Sequence, residues 1–97
     1  MTHELSSLTV SQQRELLTSK QVSPRELVDG ALAHIEQVQP ELNCFVEVWA
    51  DEARERAQFV DISTGGLAGI PIAIKDTSSW LGHKNTSGSR IFEHNVA

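Results

Sequence analysis

The chain has 97 residues, 39% of them apolar, with 13 acids against 8 bases for a formal charge of −5, enough for one domain at most. Its longest uncharged apolar run, residues 67–74, is far short of the roughly 20 residues a spanning helix needs, and the single cysteine, Cys44, excludes a disulfide framework. A net acidic chain without a basic patch repels phosphate backbones, so neither nucleic acid nor membrane is expected as a partner of this segment; with no cationic, apolar leader in residues 1–20, the expected location is cytoplasmic.

Charge is unevenly spread: residues 1–63 hold 11 acids and 5 bases, and residues 64–97 hold 2 and 3. This divides the one expected domain, 1–97, into an acidic helical leader over about 1–63 and a glycine-flanked strand and loop over about 64–97. In the leader, Thr9 and Gln12 fit a capping box and predict a short helix over 10–18, anchored by Leu16 and Leu17. Ser23-Pro24-Arg25-Glu26 is a stronger start, with a capping hydroxyl, proline at the first helical position and glutamate at the third. After it Leu27, Val28, Ala31, Leu32, Ile35 and Val38 recur at helical spacing, which predicts a helix over 24–39 that Pro40 ends. Phe45, Val46 and Val48 favour a short strand within 42–48. A third helix is expected over 50–60, with Ala53, Ala57 and Val60 facing one way and Glu52 pairing with Arg56 on the other. The charges of these helices read as solvated surface.

Residues 65–69, Gly-Gly-Leu-Ala-Gly, form a flexible lead-in to Ile70-Pro71-Ile72-Ala73-Ile74-Lys75-Asp76. Alternation puts Ile70, Ile72 and Ile74 on one face and Pro71, Ala73 and Lys75 on the other. Both faces are apolar up to Lys75, which predicts a strand covered on both sides, as in an α/β sheet, with Pro71 at its start or on an edge. Lys75 then emerges at the C-terminal end, where ligands and catalysis commonly sit in open α/β sheets. Taken locally, a lysine closing a strand is a solvated end or a guard against aggregation.

His3, His34, His83 and His94 show no short metal spacing, and His34 falls on a helix flank expected to be exposed. The loop over 82–89, Gly-His-Lys-Asn-Thr-Ser-Gly-Ser, lacks the Gly-Lys-Ser/Thr ending of a phosphate cradle. Trp49 and Trp80 suit core or interface anchors, and Cys44 suits a small buried apolar position. No cofactor and no metal are expected.

The run Gly69-Ile70-Pro71-Ile72-Ala73-Ile74-Lys75-Asp76 resembles the lysine motif of the amidase signature family of hydrolases. Gly66-Leu67-Ala68-Gly69 before it and Thr86-Ser87-Gly88-Ser89-Arg90 after it are also similar to family patterns. So is the leader: Ser23-Pro24-Arg25-Glu26-Leu27-Val28, then Ile35, Pro40 and Leu42-Asn43-Cys44-Phe45. The resemblance covers about 8–97, with two departures: Gly65-Gly66 where Gly-Pro is common, and Cys44 where Ala is common. It implies an α/β fold, with N-terminal helices followed by the first strands of a mixed sheet that is incomplete within these residues. It also implies a Ser–cis-Ser–Lys triad that hydrolyses carboxamide C–N bonds, with Lys75 as its lysine and a small-molecule amide as substrate of the full enzyme.

Such a lysine must be neutral to take a proton, against a reference pKa of about 10.4, so desolvation and neighbouring groups have to lower it. The family's two serines stand in a Gly-Ser-Ser-Gly-Gly-Ser setting that these residues lack; Ser78, Ser79, Ser87 and Ser89 have other surroundings and are not expected to be triad members. The chain is therefore expected to be an N-terminal piece of an amidase, inactive alone, with Lys75 hydrated and the strand over 70–74 poorly covered. Two alternatives stay open: the amidase-like component of a tRNA amidotransferase, and a non-catalytic module whose helices offer apolar stripes to a partner. Homo-oligomerisation is equally open, and no residue here tells which amide is bound.

Overall fold

The computed structural model describes residues 5–78 and 80–97. Its helices are α1 (Val10–Thr18), α2 (Pro24–Leu42) and α3 (Ala50–Phe59), followed by the 3-10 turns Ile62–Thr64 and Arg90–Phe92. Both capping boxes form as expected. Thr9 Oγ1 accepts from the Gln12 N–H at 3.1 Å while Gln12 Oε1 accepts from the Thr9 N–H at 2.9 Å. Ser23 and Glu26 exchange the same two bonds at 3.1 Å each, so donors that the helix cannot satisfy internally are met by side chains.

The end of α2 differs from expectation. The helix passes through Pro40 and stops at Asn43, whose left-handed φ of 46° lets its N–H donate to the Gln39 carbonyl at 2.8 Å. A proline removes one backbone bond and crowds the preceding turn. One turn from the terminus that loss is outweighed by a clamp: Gln39 Nε2 donates to the Phe45 carbonyl at 2.8 Å, and the Phe45 N–H donates to Gln39 Oε1 at 3.1 Å. The clamp also takes both backbone groups of Phe45 out of any ladder, so no strand forms within 42–48 and these residues run as irregular chain. Cys44 is exposed rather than buried, because it follows the left-handed residue that turns the chain away from the helix.

Helices α2 and α3 pack as a hairpin. Asp29 pins it by accepting from Arg25 Nε within α2 and from Arg54 Nε of α3, each at 3.1 Å. Partial burial pushes the Asp29 carboxyl up, but the Arg54 and Arg25 guanidiniums outweigh it and hold it below the usual carboxylate range. Ala53, Ala57 and Val60 are half-buried, in line with the expected stripe. The expected Glu52–Arg56 pair does not form; Glu52 turns to His83, and Arg56 lies over the Trp80 ring, 5.8 Å from its centroid.

The core is small: Leu17, Leu27 and Val28 are the buried apolar residues among those described. Gly69 enters it with φ of 86°, and a β-carbon there would stand 3.1 Å from both Leu17 Cδ1 and Ile62 Cγ2. The glycine-rich lead-in is thus a pair of defined turns, closed by Ala68 N–H to Gly65 O at 3.1 Å and Ile70 N–H to Leu67 O at 2.9 Å. From Pro71 to Lys75 the chain has no regular secondary structure, and no β-ladder forms among the described residues; their one β-bridge joins Lys84 to Val96. The described residues thus form a helical arrangement, and the strands of the α/β sheet expected from the sequence are not shown among them. A ladder needs a second backbone within hydrogen-bond reach, and α2 and α3, whose amides are satisfied internally, offer the segment only side chains. Two-sided cover fails with it: Ile72 is 67% exposed, and Ala73 is exposed too. Among the described residues no helix is long and apolar enough to cross a membrane.

Candidate active-site segment

Residues 71–75 form neither helix nor strand; Pro71 lacks the N–H a helix needs, and the β-branched isoleucines at 72 and 74 disfavour one. The segment lies over the α2–α3 hairpin. Pro71, Ile72 and Ile74 border two open apolar grooves of about 410 and 550 Å³, one shared with Leu32, Ile35 and Val38 of α2, the other with Ala57, Val60 and Leu67. Lys75 stands at the end of the segment and is exposed, as expected of a hydrated amine. Among the described residues nothing forms a hydrogen bond or ion pair with its ammonium.

None of the described serines near it in sequence is bonded to its amine. Ser78 is exposed and its N–H donates to the Lys75 carbonyl at 2.9 Å. Ser87 is exposed with φ of 51°, and Ser89 Oγ accepts from the Ile91 N–H at 3.2 Å as the cap of a 3-10 turn. Ser79 lies outside the described residues, as does His3.

The best-organised part of the segment is one that sequence reasoning passed over. Asp76 Oδ1 accepts from the Thr86 N–H at 2.9 Å; Asp76 Oδ2 accepts from the Thr86 hydroxyl and from the Gly88 N–H, the latter at 3.1 Å. The Asp76 carbonyl takes the Ser87 N–H at 3.4 Å, and Thr86 is 5% exposed. The Thr86 hydroxyl and then the Thr86 N–H hold the Asp76 carboxyl below the usual carboxylate range; desolvation opposes them, and the Gly88 N–H and the Lys75 charge add to them. Ser87 and Gly88 both take positive φ, 51° and 69°, and the N–H groups of 86, 87 and 88 all donate to Asp76, the first and third to its carboxylate and the second to its carbonyl. An aspartate followed, across a short polar loop, by Thr-Ser-Gly was the available signal for such a turn.

A second cluster moors the loop after residue 82 to the helices. His83 stacks on Trp49 at 3.7 Å between ring centroids, and Trp80 lies 6.1 Å from Trp49, so both tryptophans act as anchors. His83 Nε2 is 3.2 Å from Glu52 and its Nδ1 is 3.7 Å from Glu47. Glu47 also accepts from the Lys84 N–H at 2.9 Å and from Trp49 Nε1 at 3.1 Å, which holds its carboxyl below the usual range. His34, expected on an exposed flank, is half-buried and bonded to Ser6 Oγ at 2.9 Å. The cause is the N-terminal turn, which Gln13 Nε2 ties down by donating to the Leu5 and Leu8 carbonyls. Among the described residues no group of three His, Cys, Asp or Glu side chains is placed to hold a metal ion.

Over residues 26–97 the chain matches the family described as Amidase. It is similar to the A component of the glutamyl-tRNA(Gln) amidotransferase of a Synechococcus strain, at 44% identity over 95 residues, covering 92% of this chain and 19% of the relative. The protein of the same name from Granulibacter bethesdensis is 40% identical over 97 residues, covering 95% and 19%, and that from Halothermothrix orenii 38% over 91 residues, covering 94% and 19%. The chain thus spans about a fifth of the length of these relatives. No solved structure matches it.

Proposed function

The chain belongs to the amidase family, and from that premise we propose that Lys75 is the proton-accepting lysine of an enzyme acting on carboxamide C–N bonds. The observation that carries this is its position: Lys75 ends an apolar run with the family's motif, exposed and beside a moored Asp76. Two serines supplied from elsewhere complete a Ser–cis-Ser–Lys triad. The neutral lysine takes the proton of the bridging serine, and that serine takes the proton of the nucleophile. The nucleophilic oxygen bonds to the amide carbon, the C–N bond breaks, the nitrogen leaves protonated as ammonia, and water releases the acyl group. In the same picture residues 70–74 are a strand of a mixed α/β sheet whose neighbours lie outside these residues, so that burial lowers the affinity of the lysine for its proton.

The shared name of the relatives favours a narrower role, the amidase-like component of a tRNA amidotransferase, with a cytoplasmic location. A chimera tests both levels. Residues 26–97 of this chain, exchanged for the matching stretch of the Synechococcus relative, should sustain ammonia release from a carboxamide substrate. Lys75→Ala should lower kcat/KM by about 10³-fold. Lys75→Arg should rescue nothing, because a guanidinium does not give up its proton. The 97 residues alone should release no ammonia. A Lys75→Ala chimera within tenfold of its parent would overturn the assignment.

A further inference from the structure

We propose that Asp76 is a positioning residue for Lys75, and that Thr86 and Gly88 act with it by occupying the Asp76 carboxylate with three hydrogen-bond donors. The inference rests on the proposed role of Lys75. Three donors converge on this carboxylate: the Thr86 N–H, the Thr86 hydroxyl and the Gly88 N–H. A fourth bond, from the Ser87 N–H to the Asp76 carbonyl, fixes the backbone at the same residue. Together they staple the turn over 86–88 to the end of the apolar segment, one residue past Lys75, and so set the direction in which the chain leaves the lysine.

The staple has an electrostatic side. A free carboxylate next to a lysine favours the ammonium, and a lysine that must accept a proton is then blocked until higher pH. Three donors share the negative charge of that carboxylate and so weaken its pull on the neighbouring lysine. The other charged groups beside the segment are already engaged. Glu47 accepts from Lys84 and Trp49 and faces His83, Glu52 pairs with His83, Arg56 lies over Trp80, and His34 is bonded to Ser6. Asp76 is therefore the carboxylate whose charge bears on Lys75.

The test uses the chimera and the 97-residue chain side by side. In the chimera, Thr86→Val removes the hydroxyl but keeps the shape. It should lower kcat about tenfold at neutral pH with KM within twofold, and move the acidic limb of the kcat profile up by about one pH unit. Thr86→Ser should restore both. Asp76→Asn deletes the charge, and should move the same limb the opposite way, to lower pH. A purely structural clamp would reduce kcat in both variants without moving either limb, and that result would overturn the inference. In the 97-residue chain, carbon-13 NMR should show the Asp76 carboxyl titrating below the usual range, rising toward it in Thr86→Val, with loss of exchange protection at the Gly88 amide. An Asp76 carboxyl titrating in the usual range, or unmoved by Thr86→Val, would overturn it independently of activity. Failure of Lys75→Ala to impair the chimera would instead remove the assigned function, so the two failures are told apart.

Discussion

At the scale of single residues, glycine carries the clearest structural demand. Gly69 combines a left-handed φ of 86° with a methyl of buried Leu17 and one of half-buried Ile62, each 3.1 Å from where a β-carbon would sit, whereas Gly66 has φ of 60° and nothing within 4 Å. Gly69→Ala meets both penalties, roughly 1 kcal/mol for the backbone and another 1–2 kcal/mol for overpacking against Leu17 and Ile62, while Gly66→Ala meets only the first. Urea titration should therefore place the Gly69→Ala midpoint clearly below that of Gly66→Ala, at equal slope. Equal losses would mean that Leu17 and Ile62 yield freely and that only backbone conformation matters. The sequence shows a glycine before the isoleucine run, but its partner Leu17 lies far back in α1. Local spacing carries no record of that contact.

Elements are legible where their signals are local. The start of α2 follows from Ser23, Pro24 and Glu26 because all the atoms of a capping box lie within four residues. Its end departs from expectation because Pro40 is a local signal overridden by a less visible one, the Gln39–Phe45 clamp followed by the left-handed Asn43. The competition is measurable. Pro40→Ala returns a donor that can reach the Glu36 carbonyl and removes the ring's crowding, so it should raise stability by about 1 kcal/mol and slow amide exchange in the last turn of α2. An unchanged or lowered midpoint would show that the proline restricts the unfolded chain as much as it disturbs the helix. The apolar segment over 70–74 fails as a predicted strand for the opposite reason. Its alternation and composition are right, but a ladder is made by a second backbone, and nothing in residues 70–74 can supply one. The candidate site divides the same way: Lys75 is readable from its octapeptide, whereas the bonds from Asp76 to Thr86 and Gly88 and the stacking of His83 on Trp49 join residues distant in sequence.

For the molecule as a whole, surface area decides what kind of object this is. A monomer of 10.7 kDa is expected to expose about 5,500 Å², and this chain exposes 7061 Å². The radius of gyration, 14.5 Å against about 12.5 Å for a compact chain of this length, agrees. The excess, about 1,500 Å², is about twice what one partner gives up in a standard protein interface, and Ile72, Phe59 and Leu67 are among the exposed large apolar residues. Ile72 tests what that area is for. In the 97-residue chain a residue 67% exposed has little packing to lose, so Ile72→Glu should shift stability by less than about 0.5 kcal/mol and improve solubility. In the chimera the same change should place a carboxylate between strand and helices, a burial worth several kcal/mol, and abolish folding or ammonia release. Tolerance in both settings would mean that residues 70–74 remain on the surface of the longer protein, and the burial needed to turn Lys75 into a base would have to come from somewhere else.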